Sequence, residues 1–158
     1  MGDEEREDQQ EQPERLFDLV EAEQLLPQLK GWLKKVQKRK QQAERIEKEF
    51  AKVQNRILVY GGIVPPYAYL AEKRKERDAA VRAIRSTLEE LEKTGCLLKD
   101  LDKGLVDFRT VLDNHEVYLC WKLGEDRIRY WHHVDEGFKG RKPLNPSNLG
   151  PLDESKPN

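Results

Sequence analysis

The apolar residues of this chain change their period once, at Thr94-Gly95, and that change limits the fold more than any other feature. Before it, apolar side chains recur every three or four residues; after it, they alternate. The first period belongs to helices and the second to half-buried strands. The fold class expected is therefore α+β: a long antiparallel helical hairpin of coiled-coil type, plus a small antiparallel sheet of three to four strands.

The helical half has clear punctuation. Asp18 suits an N-cap, with Glu21 three residues on and Phe17 just outside. Pro27 falls inside the apolar pattern, where it either kinks a helix or starts a second one. Beyond it Leu29, Val36, Ala43, Phe50 and Ile57 lie seven apart. Trp32, Ile46, Val53 and Tyr60 fill the companion position, and Arg39 interrupts it. Gly61-Gly62-Ile63-Val64-Pro65-Pro66 stops the helix. A second helix of similar length follows from about Tyr67 to Lys93, with a seam of Leu70, Val81, Ile84, Leu88 and Leu91 that Arg74 and Arg77 dilute. Gly95 is the natural left-handed stop. Two amphipathic helices joined by a short loop fold back on each other.

Four strands are expected after Gly95: Cys96–Lys99, Leu105–Val111, Glu116–Leu123 and Ile128–Val134. Asp102-Lys103-Gly104, Asp113-Asn114 and Gly124-Glu125-Asp126 separate them. Val117, Leu119, Trp121 and Leu123 share one face, which should pack on the base of the hairpin. Pairing Leu123 with Ile128 sets Trp121 opposite Tyr130 and Cys120 opposite Trp131, and it keeps apolar residues together. Shifting by one sets Cys120 opposite His132 instead. The organisation expected is a disordered acidic tail over 1–14, a hairpin over 15–95, a meander over 96–142 and an irregular tail over 143–158.

Charged and apolar residues each make up 37% of the chain, which is typical of long exposed helices and too charged for a compact α/β enzyme. Net charge is −1, so there is no overall bias toward nucleic acid or membrane. Residues 1–14 are net −6 and residues 30–56 net +7. No stretch approaches the ~20 apolar residues that span a bilayer. Two cysteines and no secretory pattern imply a reducing, cytoplasmic location.

The segments LFDLVEAEQLLPQL, GCLLKDLDKGLVDF, VYLCWKLGE, IRYWHHVDEGF and GRKPL resemble the prokaryotic domain of unknown function numbered 2203, over roughly residues 16–144. The resemblance brings no catalytic residues with it. It puts Asp107, Cys120, Trp121, Glu125, His132, Asp135 and Arg141 in motif positions without assigning them roles.

Those residues also stand out on their own chemistry. Residues 104–141 hold six of the twelve aromatics and all three histidines. A thiolate from Cys120 and an imidazole from His132 suit zinc, with Asp107 or Asp135 as a third ligand. The spacing matches no standard metal signature, so the reading preferred from sequence is that both are buried core residues and that no cofactor is held. Arg141 suits a carboxylate or phosphate clamp. The plainer reading is an internal Arg–Asp bridge closing the Asp135–Arg141 loop onto the sheet. Asp100 to Gly104 resembles the start of a calcium loop but lacks its closing Glu, and it reads as a turn. The run Lys30, Lys34, Lys35, Lys38, Arg39 and Lys40 reads as the solvated coat of a helix.

The function expected first is a non-enzymatic interaction module that forms a homo-oligomer, or binds a protein partner, through the incomplete hairpin seam. The alternative is a metal- or ligand-binding site, conceivably catalytic, around Asp107, Cys120 and His132. The second alternative is nucleic-acid binding through the basic helix.

Overall fold

The computed structural model describes residues 15–61 and 66–145. The 1–14 segment, residues 62–65 of the Gly-Pro stop and most of the 143–158 tail lie outside the described residues. Two helices, α1 (Leu19–Tyr60) and α2 (Tyr67–Lys93), precede five strands: β1 (Leu97–Asp100), β2 (Leu105–Leu112), β3 (His115–Lys122), β4 (Tyr130–His133) and β5 (Lys142–Pro143). The strands form one antiparallel meander in the order β1-β2-β3-β4-β5. The fold is α+β, as the change of period requires.

Asp18 caps α1, its side chain accepting from Glu21 N at 2.7 Å. Phe17 sits buried just before the cap, edge-on to Phe108 at 5.3 Å. Its own N–H donates to Arg109 O at 2.7 Å, which pins the helix start to the sheet. Pro27 neither breaks α1 nor starts a new helix. It lies inside the helix on the exposed side, where water can replace the lost backbone bond.

α1 has 42 residues and α2 only 27, so the two helices are not of similar length. The early part of α1 uses Ala22, Leu26, Leu29 and Leu33 to cover Val106, Phe108, Leu119 and Trp121 of the sheet. This is the packing that the alternation in β3 predicts. The later part pairs with α2. There the α2 seam differs from the expected one: Ala80, Thr87 and Leu91 are buried, and Val81 is 41% exposed. Residues 77, 80, 84, 87 and 91 repeat in steps of three and four, so Arg77 lies on the seam and Val81 beside it. Arg77 covers Phe50 at 5.5 Å and pairs with Glu47 at 2.6 Å. Thr87 satisfies its hydroxyl by donating to Ala83 O at 2.8 Å.

Three tight turns are spelled by residue type. Gly95 ends α2 with φ +89°, and a Cβ there would meet Arg15 Cβ at 2.7 Å. Gly104 has φ +68°, and a Cβ there would meet Leu123 Cβ at 2.5 Å. Asp113 and Asn114 both take positive φ, as the two-residue hairpin between β2 and β3 demands. The Asp100–Gly104 segment is a turn, with Asp100 Oδ1 accepting from Lys103 N.

Two expectations about the sheet need correction. A fifth strand, Lys142–Pro143, pairs with β4 at its edge. The β3–β4 register is also one residue away from the preferred one: Cys120 faces Tyr130, Leu119 faces Trp131 and Tyr118 faces His132. It is not the Cys120–His132 alternative either. The irregular Gly124–Arg129 connection takes up the slip.

Candidate functional site

The slip in register decides which side chains meet. Residues of alternate parity point to opposite faces of a sheet. Asp107 lies directly opposite Cys120, and Tyr118 directly opposite His132. Asp107, Tyr118, Cys120 and His132 thus occupy the face turned away from the helices. His132 reaches diagonally past Cys120 to Asp107, with Nε2 3.0 Å from Oδ2. Asp107, Cys120 and His132 are all buried, and their ligand atoms all lie within 4.8 Å of one another. They line a cavity of about 220 Å³ with Lys99, Tyr118, Glu136 and Phe138.

Proton positions in this cluster follow from geometry. His132 Nδ1 lies 2.8 Å from the carbonyl of His133, and a carbonyl only accepts, so Nδ1 carries hydrogen. Nε2 and the Asp107 carboxylate then confront each other across the 3.0 Å gap. Burial, and next the Asp107 carboxylate, push the Cys120 thiol up to about 12, against a smaller opposing pull from Arg141. The sulfur is therefore a neutral thiol near neutral pH. A cysteine nucleophile needs a ring nitrogen on its sulfur. Both nitrogens of His132 are engaged elsewhere, so the arrangement does not build a Cys–His nucleophile.

The donor set does suit a zinc-type ion. Thiolate, imidazole and carboxylate are its ordinary ligands, at roughly 2.0–2.3 Å. Around a tetrahedral ion such ligands stand about 3.4–3.8 Å apart. A histidine whose Nδ1–H is held by a backbone carbonyl presents its Nε2 lone pair in a fixed direction, the usual support for a metal-bound imidazole. Three ligands leave a fourth position on the cavity side.

Arg141 and Glu125 form a second cluster at the sheet edge. The guanidinium pairs with Glu125 Oε1 at 2.7 Å and donates to Cys120 O at 3.1 Å. It stacks on Tyr130 at 4.2 Å and Phe138 at 4.7 Å. Glu125 also accepts from Lys122 N at 3.1 Å. The internal bridge foreseen for Arg141 exists, but its acid is Glu125 and not an aspartate. Asp135 stays exposed and outside the cavity, while the next residue, Glu136, ties the loop by accepting from His133 N and Lys142 Nζ. Trp121 belongs to the opposite face. It is fully buried in the core, donating Nε1–H to Glu125 O at 3.1 Å.

A family model described as an uncharacterized conserved protein, DUF2203, matches residues 15–144. The chain belongs to that family. No curated protein and no solved structure gives a match. Within the DUF2203 segment the motifs that carried the resemblance converge on one place: GLVDF supplies Asp107, LCW supplies Cys120, YWH supplies His132 and GR supplies Arg141.

Among the cavity residues of this DUF2203 chain that escape sequence reasoning are Tyr118, Lys99, Glu136 and Phe138. Tyr118 was within reach, since it alternates with Leu119 onto the Cys120 face. Lys99 was not, because its place on the Asp107 face follows from the pairing of Leu97 with Asp107, a register that the sequence of this short strand does not fix. Glu136 and Phe138 sit past the last strand signal, where no period applies.

A larger cleft, about 490 Å³, lies between the start of α1 and the β4–β5 edge and is lined by Leu19, Ile128 and Tyr130 among others. It gathers arginines but no thiol, imidazole or carboxylate, and so offers less chemistry. Among the described residues no helix is long and apolar enough to cross a membrane. On α1, Lys34, Lys35, Lys38 and Arg39 are exposed, and Lys40 pairs with Asp102 at 2.6 Å.

Proposed function

We propose that this protein binds one zinc-type divalent ion through Asp107, Cys120 and His132, with an open coordination position facing the 220 Å³ cavity. The observation that carries the reading is the convergence of carboxylate, thiol and imidazole, all within 4.8 Å and all buried. Three unlike polar groups buried together are costly to keep without a common partner. Closing them onto an ion needs shifts of about 1 Å or less, toward tetrahedral ligand spacing. Three protein ligands with a free position is the pattern of sites that act on ligands, as opposed to closed structural sites.

The test is metal content. The purified full chain should carry about one equivalent of zinc or take it up stoichiometrically, with release of the Cys120 proton. Asp107→Asn and Cys120→Ser should lose most of that affinity while retaining the helical circular-dichroism spectrum. A parent chain that stays below a tenth of an equivalent in excess zinc would refute the reading.

A separate observation favours self-association as a second property. Leu58, Val59, Tyr60 and Tyr67, at the distal end of the hairpin, are 65–77% exposed. Beside them Phe50, Val53, Ile57 and Leu70 line a groove of about 290 Å³. Apolar surface of this kind is usually covered in a stable protein. A dimer or larger assembly is expected in sedimentation equilibrium, dissociating in Leu58→Glu; a monomer at tens of micromolar contradicts it.

A further inference from the structure

We infer that the metal-side cavity takes a small carboxylate, with one carboxylate oxygen at the open coordination position and the other held by Lys99. This rests on the metal reading above. It begins from the place of Lys99 in β1. The β1–β2 register pairs Leu98 with Val106 and then jumps to Asp100 with Leu105. Lys99 is the extra residue, and its side chain joins Asp107, Cys120 and His132 in lining the cavity. Alternation from Leu97, which faces Asp107, puts Lys99 on the cavity side of the strand.

Charge then selects the ligand. With an ion bound, the Asp107 carboxylate and a Cys120 thiolate cancel its two positive charges, and His132 is neutral. Glu136, on the rim, is neutralised by Lys142 at 2.6 Å. Arg141 is neutralised by Glu125 at 2.7 Å. Lys99 has no ion-pair partner among the described residues; its ammonium rests over the Tyr118 ring at 5.5 Å. The loaded cavity is therefore left with one net positive charge, on a flexible stem that lines the same cavity. That combination recognises an oxyanion.

Size and wall chemistry narrow the class. A volume of about 220 Å³ corresponds to roughly seven waters at ~30 Å³ each, enough for a ligand of about the same number of heavy atoms. Leu105, Val134 and Phe138 supply apolar wall on the same cavity. A short-chain carboxylate uses both the charge and the wall, whereas inorganic phosphate uses only the charge.

The experiment uses the full chain loaded with Co(II), whose visible absorption reports the number and kind of ligands on the ion. Propionate should shift the bands saturably. Lys99→Ala should weaken propionate binding tenfold or more without changing Co(II) stoichiometry, and Lys99→Arg should restore most of it. Inorganic phosphate, as the second probe, should bind more weakly than propionate. A response to phosphate alone overturns the carboxylate assignment. Loaded protein that ignores both anions, or a Lys99→Ala variant that binds propionate as the parent does, overturns the inference and leaves the metal reading standing. A chain that takes up no Co(II) removes both.

Discussion

Replacing Asp107 and His132 singly and together gives the most direct measure of the buried cluster. Their side chains are 4% and 3% exposed, with 3.0 Å between Oδ2 and Nε2. Without metal, the Asp107 carboxyl and the His132 ring are each other's partner, held by a hydrogen bond that water barely reaches. Taking two polar groups out of water costs about as much as their mutual bond returns, so the pair as a whole contributes little net stability. Breaking it is a different matter, because the survivor stays buried without a partner. Asp107→Leu and His132→Leu should each destabilise by about 3–5 kcal/mol. The double variant should lie closer to the parent than either single one, since it buries no charge at all. Guanidinium unfolding followed by tryptophan fluorescence, with chelator present to exclude metal, measures all four chains. Costs that simply add in the double variant, or single variants within about 0.5 kcal/mol of the parent, would refute the argument.

Trp121→Ala should cost about 3–5 kcal/mol, because the ring is wholly buried against the early part of α1; a melting temperature within a degree or two of the parent would contradict that burial. The Cys120 thiol, raised in the folded chain from 9.0 to about 12, stays protonated after the unfolded thiol ionises. Its contribution is thus fully present below pH 9 and lost as pH climbs from 9 toward 12. The stability gap between parent and Cys120→Ala should narrow as pH rises from 9 toward 12, as read by denaturant unfolding at each pH; a constant gap would place the sulfur in water. Arg141→Ala removes the partner of Glu125 and the stack on Tyr130 and Phe138. It should cost about 1–3 kcal/mol and speed amide exchange over residues 137–144.

The parts of this fold that sequence makes legible are those where residue type alone decides conformation. Asp18, Gly95, Gly104 and the Asp113-Asn114 pair each enforce a cap or turn, and each is found where expected. The length of α1 is less legible, because Pro27 carries the same signal in a kink, a new helix or a tolerated exposed position. β5 is invisible because Lys142-Pro143 has no alternation to show; proline fits there because the strand is at the edge. The β3–β4 register is ambiguous for a related reason. Tyr130, Trp131, His132 and His133 place an aromatic ring on both faces, so apolar matching prefers no single alignment. The residue types at the site could be picked out, but their meeting could not, because it depends on that register. Asp135 and Glu136 are indistinguishable in sequence, and only the turn geometry gives Glu136 the contacts.

α1 seats its early turns on the sheet and carries its late turns to the hairpin tip without a break. From Val36 to Tyr60 the rod is about 36 Å long at ~1.5 Å per residue. It has the mechanics of a pointer fixed at one end. A 5° tilt of its seat sweeps the tip through about 3 Å, by the same helical rise. The sheet face that seats it is one layer thick, with Cys120 on one side of β3 and Leu119 and Trp121 on the other. Small displacements of β3 are thus converted into larger ones at Leu58 and Tyr60, with α2 strapped alongside by Glu47–Arg77 and Glu49–Tyr69.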